Sequence, residues 1–511
     1  MSYLLGIDVG TTGTKTLLVD AEGNVVTSAA PEYPLYTPQP LWAEQHPQDW
    51  WRATCEACRA VIAQAGIKRE EIRGVGLSGQ MHGSVFLDAA NEVIRPALLW
   101  CDQRTGPQCR WITETIGERT IVEETCNPVL TGFTAPKIVW LRDHEPQNFQ
   151  RLRKVLLPKD YVRFRLTGEY ATEVSDASGT SLLNIRQRQW SQKMVEGIGL
   201  SLDMLPTVFE SYEVSGKVTA EAAQACGLAP GTPVVGGGGD QAAGAVGNGI
   251  VETGIVSSTL GTSGVVFAHL DEPFMDEKLR THTFCHAVPG KWHVMGVVLS
   301  AGGSLRWARD ELYGAEREAA RLMGCDPYEL IAAEAEQAPP GAEGLVFLPY
   351  LTGERTPYPN PNAKGVFCGL SLRHTKAYLA RAVMEGVAFA LRDSFEILKT
   401  MGVPIGQVRA SGGGARSPLW RQIQSDATGF AHSTINSTEG APYGVALLAG
   451  VGTGLWSSVE EACRATIQLV DTCEPNAALR GRYDRLYAVY QKLYAQLEGL
   501  FDETAAIVAG T

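Results

Sequence analysis

The strongest constraint on the fold is a pattern that occurs twice. "LLGIDVGTTGTKTLLVD" (residues 4–20) and "GIVSSTLGTSGVVFAH" (residues 254–269) each set apolar and β-branched residues on both sides of a turn of Gly, Thr and Ser. Glycines such as Gly10 and Gly13 interrupt any helical period, so each stretch is expected to be a β-hairpin. Gly10 allows the backbone to approach a ligand closely, and the hydroxyls of Thr11, Thr12 and Thr14 stand beside the free N–H groups of the turn. That combination suits a phosphate chain. Two such hairpins half a chain apart predict two related domains, each lending one turn to a phosphate site in the cleft between them.

The junction is expected near residues 247–253, which divides the chain into residues 1–249 and 250–511. Strand-like runs such as "IRGVGLSG" and "PALLW" alternate with helical stretches: one over residues 47–65, one ending at Gly402, and one close to the carboxyl end. This alternation favours two α/β domains. The first hairpin also carries an acid, Asp8, inside its first strand. Asp8 is a candidate to hold a metal beside the phosphates; the plainer alternative is a carboxylate satisfied by the turn amides. The two commonest phosphate motifs do not fit. Lys15 follows Thr14 rather than Gly, unlike a P-loop, and no Gly-x-Gly triplet opens onto a helix.

At 511 residues the chain exceeds a single core, and two to three large domains are expected. Its 56 acidic residues against 44 basic ones give a net charge of -12, and no Lys/Arg cluster stands out. This argues against nucleic acid and anionic membranes as main partners and favours a small molecule. The amino terminus lacks the pattern of a signal peptide and no apolar run reaches membrane-spanning length, so a cytoplasmic location is expected. Eleven cysteines, an odd number without framework spacing, fit reduced thiols. Cys55 and Cys58 form a CxxC within an amphipathic helical stretch, where packing is the better explanation. "HTFCH", with His282, Cys285 and His286, lacks a fourth zinc ligand at sensible spacing and is expected to be core.

Four further stretches carry the chemistry. In "TPVVGGGGDQAAGAVGNG" a short strand runs through four glycines and places Asp240 at the start of a small-residue helix. An N-cap needs fewer glycines; a bare surface with a carboxylate at a helix start suits a general base acting on an alcohol near anionic oxygens. "GVGLSGQMHGSVFLD" (residues 74–88) is expected to be strand, turn, strand, with Gln80, Met81 and His82 in the turn, an amide and an imidazole able to bind the hydroxyls of a polyol. "LLWCDQRTG" ends a strand with Trp100, Asp102 and Arg104, the furnishing of a carbohydrate site or, alternatively, a surface turn with a structural ion pair. "ASGGGARSPLWRQ" sets three glycines before a helix starting near Ser417, a loop able to take a purine and ribose, with Arg416 stacked or exposed.

In this order, the motifs resemble those of the FGGY carbohydrate kinases. The resemblance covers nearly the whole chain: "GIDVGTTGTK", "LWAEQHP", "SGQMHG", "GFTAPKIVWL", "LLPKDYVRFRLTGE", "GGGDQAAGAVG", "LGTSG", "FLPYLTGERTP", "KGVFCGL" and "GGGARSPLWRQ". It implies an actin-like, ribonuclease-H-type fold duplicated into two domains with the active-site cleft between them. It also implies ATP and Mg2+, with transfer of the γ-phosphoryl group to the 5-hydroxyl of D-xylulose. The alternatives are another ketose or polyol of the same family, such as ribulose or an alditol, and a non-kinase actin-like ATPase.

Carried over by position, Asp240 matches the catalytic base, Met81 and His82 the sugar-contacting pair, and Asp8 the metal-side acid. Gly10, Thr11, Thr12 and Lys15 of the first turn, and Gly261, Thr262 and Ser263 of the second, are expected on the phosphates. Gly413, Gly414 and Arg416 are expected at the adenosine. After the base, xylulose-phosphorylating members often carry Asn where this chain has Gln241, a further candidate sugar contact. Tyr378 also stands where the family usually has a polar or acidic residue. A homodimer is common in the family and is implied only by the resemblance.

Overall fold

The computed structural model describes residues 2–509. The first half opens with the strands β1 (Tyr3–Val9), β2 (Thr14–Asp20) and β3 (Val25–Ala29), followed by helix α1 (Pro47–Ala65) and strand β4 (Ile72–Gly79). It continues through β5 (Val214–Lys217), β6 (Pro233–Val235) and β7 (Gly238–Gly239) to helix α2 (Asp240–Gly247). The second half holds β8 (Gly254–Leu260), β9 (Gly264–Leu270), β10 (His282–Cys285) and β11 (Trp292–Val298). Then come α3 (Lys376–Thr400), β12 (Ile405–Ser411), α4 (Pro418–Thr428), β13 (His432–Ile435), α5 (Ala441–Gly452), β14 (Leu469–Cys473) and α6 (Arg480–Ala509).

Both predicted hairpins form, and each seeds a sheet of the same plan. The first sheet runs β5-β6-β4-β1-β2-β3, with β7 also paired to β4; the second runs β10-β11-β9-β8-β12-β13-β14. In the first, β1 pairs antiparallel to β2 and parallel to β4, while β2 and β3 are antiparallel and β4 and β6 parallel. The second repeats these relations with β8, β9, β11, β12 and β13. A shared strand order with shared directions in two halves is the mark of a duplicated α/β unit.

The two sheets separate along the chain between Gly239 and Gly254, but one helix crosses over. Helix α5, apolar on all sides as a fully buried helix must be, belongs to the second half and packs on β1 and β4 of the first sheet and on α2. Glycine makes the approach possible. A Cβ at Gly6 would lie 1.8 Å from the Pro442 carbonyl oxygen, and one at Gly444 would lie 1.9 Å from that of Ala243. The amino-half boundary at residue 249 therefore separates the strands without separating the packing.

A cluster drawn from both halves lies between the sheets: Met81, Phe133, Ala245, Ile250, Phe267, Phe284 and Met295 are all buried in it. Cys55 and Cys58 are buried free thiols on α1, packed in the first core. His282, Phe284 and Cys285 are buried on β10, and among the described residues no three His, Cys, Asp or Glu side chains gather into a metal-binding group. No described helix is long and apolar enough to cross a membrane.

Candidate active site

Strand register brings the two acids together. Asp8 pairs with Ser78 across β4, and Ser78 pairs with Gly238 on the other side, so the chain reaches Asp240 just beyond the level of Asp8. The four glycines do not form a loose loop. Gly237 takes a left-handed conformation (φ +71°) over Leu77, where a Cβ would lie 1.8 Å from the carbonyl oxygen, and β7 then resumes pairing with β4. Arg163, fully buried, donates to the carbonyls of Val235 and Gly236, both at 2.5 Å, and the Gly239 N–H donates to Ser175 Oγ at 3.0 Å. The peptide leading to Asp240 is thus held from both ends.

Asp240 opens α2 with its carboxyl pushed up to about 7, by burial first and then by the like charge of Asp8; hydrogen bonds from Gln241 work in the opposite direction. Asp8 is also raised by burial, against the hydrogen bond from Ser78 Oγ at 2.7 Å and the charge of Lys15. An acid whose proton affinity sits near neutrality at a helix start suits a general base.

The "QMHG" turn lies directly beside this strand. A Cβ at Gly239 would come within 3.0 Å of the Met81 side chain, so Met81 packs flat on the peptide before Asp240. His82 has a left-handed backbone (φ +69°), a strained state for a non-glycine residue. Its carbonyl is fixed by Lys137 Nζ at 2.8 Å and Thr134 Oγ1 at 3.0 Å. The imidazole stacks on Phe133 with centroids 4.6 Å apart and shares a hydrogen between Nδ1 and the Gly179 carbonyl at 2.7 Å. A carbonyl only accepts, so Nδ1 carries the proton and Nε2 presents a lone pair. Burial lowers the His82 pKa to about 3 and keeps the ring neutral.

Gln80 is placed differently from the expectation of a sugar contact. Its amide nitrogen donates to the Gly10 carbonyl at 3.2 Å and to Gln45 Oε1 at 2.9 Å, and its oxygen accepts from Thr11 Oγ1 at 3.2 Å. With both ends engaged, Gln80 braces the first Gly-Thr turn against the "QMHG" turn. Trp100, 39% exposed, donates its indole N–H to Thr11 Oγ1 at 3.0 Å and so also lies beside the first Gly-Thr turn.

Asp102 and Arg104 form the structural ion pair rather than an open polar face. Arg104 Nη2 meets Asp102 Oδ2 and Glu44 Oε1, both at 2.7 Å, under the rings of Trp42 and Trp140, and Asp102 also accepts the Ala43 N–H. Lys15 is ion-paired to Glu439, just ahead of α5, at 2.5 Å. That pair ties β2 to the crossing helix instead of leaving the ammonium free for phosphate.

The second turn repeats the first. The Gly261 N–H donates to the Ser263 carbonyl at 2.9 Å, as Gly10 does to Gly13 at 3.0 Å. The Thr262 carbonyl accepts from Ala301 and Gly303. Gly412 (φ +80°) lies on Leu260, and a Cβ at Gly414 would strike the Leu260 side chain, whereas Gly413 faces open space and Arg416 is exposed. The glycine loop therefore abuts the second turn with a bare, accessible backbone, and Ser417 caps α4 through the Trp420 N–H.

Several residues that shape the site went unassigned in the sequence: Lys137, Thr134, Phe133, Ser78, Arg163 and Ser175. Lys137 had a visible signal, a lone cation in the apolar helix "TAPKIVWL". It is fully buried, and burial pulls its pKa down to about 7.

Comparison with known proteins agrees with this architecture. Residues 3–247 match the N-terminal domain, and residues 256–453 the C-terminal domain, of the FGGY family of carbohydrate kinases. A xylulose kinase from Escherichia coli (strain K12) is 41% identical, covering 96% of this chain and 99% of that protein. One from Bacillus subtilis (strain 168) is 37% identical over 98% of each chain. The crystal structure of xylulose kinase from Rhodospirillum rubrum superposes with a TM-score of 0.89 at 30% identity, covering 98% of this chain and 100% of that one. With both domain models matched in order over paired sheets of one plan, the chain belongs to the FGGY family of carbohydrate kinases.

Proposed function

We propose that this chain phosphorylates D-xylulose at its 5-hydroxyl with MgATP, giving D-xylulose 5-phosphate and ADP. The observation that carries this reading is the juxtaposition of Asp240 with the "QMHG" turn, Met81 lying on Gly239, between two phosphate-type turns. Xylulose kinases from two bacteria, aligned along almost the full chain, support the choice of acceptor.

In this mechanism the 5-hydroxyl lies against Asp240, which takes its proton as the oxygen attacks the γ-phosphorus. The new P–O bond forms as the bond to the β-phosphate oxygen breaks, and ADP leaves with the electron pair. His82 Nε2 accepts a hydrogen bond from a sugar hydroxyl and fixes the chain of the substrate along the turn. The Thr11 and Thr12 amides with the Thr12 hydroxyl on the first turn, and the amides and hydroxyls of Thr262 and Ser263 on the second, hold the phosphates, while the Gly10 and Gly261 N–H groups close the turns themselves; Gly413 and Gly414 offer bare backbone to the adenosine. Such positioning accounts for most of the rate in phosphoryl transfer.

Mg2+ fits the donor set. Asp8 and Asp240 are half-buried acids of like charge, and Lys15, the cation whose charge reaches Asp8, is ion-paired to Glu439. Asp8 would hold the divalent cation, which would supply neutralisation of the triphosphate charge there.

The test is ADP release with MgATP in the presence of D-xylulose, D-ribulose, L-xylulose, L-ribulose, glycerol or xylitol, and without acceptor. Stimulation by D-xylulose above the others is the expected result. Stimulation by a different sugar moves the substrate, and steady acceptor-free turnover alone overturns the kinase reading.

A further inference from the structure

The wall of the cleft contributed by the second half carries two polar groups that the chemistry above leaves unused. His282 opens β10 with only 4% of its surface exposed and neither ring nitrogen hydrogen-bonded among the described residues. Its centroid lies 5.9 Å from that of Phe133, the ring on which His82 stacks. Phe284 closes the group, 5.9 Å from His282 and 6.2 Å from His82. An imidazole buried without partners is costly unless something else satisfies it.

The second group comes from "GERTP", residues 353–357, which continues the sheet edge where β10 stops. The Thr356 N–H donates to the Val297 carbonyl at 3.1 Å, and the Thr356 hydroxyl accepts the Val297 N–H at 3.1 Å while donating to the Arg280 carbonyl at 2.8 Å. Glu354 accepts the N–H groups of Leu299 at 2.9 Å and Arg355 at 2.7 Å through one oxygen. Val297 lies two residues beyond Met295, the register partner of His282. With both neighbours pinned there, Arg355 is held next to His282. Its guanidinium makes no hydrogen bond or ion pair among the described residues, and its positive charge disfavours protonation of both His82 and His282.

The "QMHG" turn gives the acceptor a direction. Met81 lies on Gly239 beside the base, and His82 lies on Phe133 beside the ring group. A sugar following the turn has its reacting hydroxyl at one end and its opposite end at His282 and Arg355. Resting on the sugar-kinase reading, we propose that Arg355 and His282 form the far wall of the acceptor pocket and bind the carbonyl end of a ketose, so that the second domain selects ketoses over alditols. The planar guanidinium fork matches a carbonyl oxygen and its neighbouring hydroxyl, and the imidazole takes the hydroxyl alongside. A site built to hydrogen-bond one group discriminates against the analogue that lacks it.

The experiment uses the full chain with MgATP and compares the KM for D-xylulose with the competitive Ki of xylitol. In Arg355→Ala the D-xylulose KM is expected to rise about tenfold or more, the loss of a charge-assisted hydrogen bond, while the xylitol Ki moves less than about threefold. The KM for ATP stays within about twofold, and Arg355→Lys, which keeps the charge without the fork, recovers only part of the loss. His282→Leu moves the same pair of constants in the same direction by a smaller factor. Equal changes in the D-xylulose KM and xylitol Ki, or no change in either, overturn the proposal. If Arg355→Ala does not fold, the Lys variant decides by the same two constants. Failure of the kinase reading is separate, because the native chain would then show no acceptor-stimulated ADP release.

Discussion

The two halves share a strand plan, yet they differ at the positions where charge matters. Asp8 stands one residue before the end of β1 and is bonded to Ser78 on β4; Thr259 stands one residue before the end of β8 and is bonded to Ser411 on β12 at 2.8 Å. Asp240 is the first residue of α2, and Ala441 is the first residue of α5. After β4 the chain makes the "QMHG" turn, and after β12 it makes the glycine loop ending at Arg416. One backbone plan thus carries two acids in the first half and a hydroxyl and a methyl in the second. Duplication supplied two matching turns, and on the proposed mechanism the acids stand only in the half where a hydroxyl is deprotonated and a metal held. On that reading, asymmetry at matched positions gives a symmetric plan a sugar end and a nucleotide end.

The largest effect should come from removing the base. Asp240→Asn keeps the shape of the helix start and is expected to lower kcat about a thousandfold, within the range of general-base catalysis, with ATP affinity by titration near normal. Retained turnover would remove Asp240 from this role. Asp8→Asn is expected to lower kcat about a hundredfold and to raise the Mg2+ concentration needed for half-maximal rate. The matched change in the other half, Thr259→Val, should lower kcat no more than about tenfold, the scale of one neutral hydrogen bond. Equal losses at Asp8 and Thr259 would break the comparison, since they would mean that the two strand ends do equivalent work.

Much of this asymmetry was legible in the sequence because it is local. Asp8, the two Gly-Thr turns and the glycines before Asp240 announce themselves through residue type and spacing, and the pairing of β1 with β2 and of β8 with β9 follows from the hairpins. The partners of side chains were less legible, because they are set by tertiary contact. Asp102 and Arg104 have the look of a carbohydrate site until Trp42, Trp140 and Glu44, separated from them in sequence, close over them. Lys15 has the look of a phosphate ligand until Glu439 arrives from the far end of the chain. The crossing of α5 onto the first sheet was hidden for the same reason: glycines permit a close approach without saying what approaches.

The third test separates two neighbours in one turn. His82→Ala is expected to raise the D-xylulose KM about tenfold and leave the KM for ATP within about twofold, because in the proposed mechanism its free ring nitrogen bonds the acceptor. Gln80, braced against Gly10 and Thr11, belongs mechanically to the phosphate turn. Gln80→Ala should therefore raise the KM for ATP at least as much as that for the sugar. A sugar-only effect at Gln80 would place its amide in the acceptor pocket after all.

The smallest effect concerns stability and again contrasts the halves. The buried acids Asp160, Glu173 and Asp176 of the first half surround Lys159 Nζ at 2.7, 3.3 and 3.0 Å, and that ammonium pulls against the burial and the neighbouring acids that raise the Asp176 carboxyl. In the second half Asp393 is buried on α3 against hydroxyl and amide groups, Tyr487 Oη at 2.5 Å and Gln491 Nε2 at 3.4 Å, while Arg392 directs Nη2 to Asp484. Burial raises the Asp393 carboxyl to about 7; bonds from Tyr487 and Gln491 and the charge of Arg392 offset part of the rise, and Glu396 adds to it. The folded chain therefore holds this proton more tightly than the unfolded chain, whose value is near 4. Its contribution to stability is full below about pH 4 and is lost as pH rises through about 7. Asp393→Asn cannot lose that proton, so its Tm relative to the native chain should climb between pH 4 and pH 8, by about 2–4 °C for each kcal/mol regained. A Tm difference that stays flat across this range would mean that Asp393 is ionised in the folded core at all these pH values, the charge of Arg392 outweighing its burial.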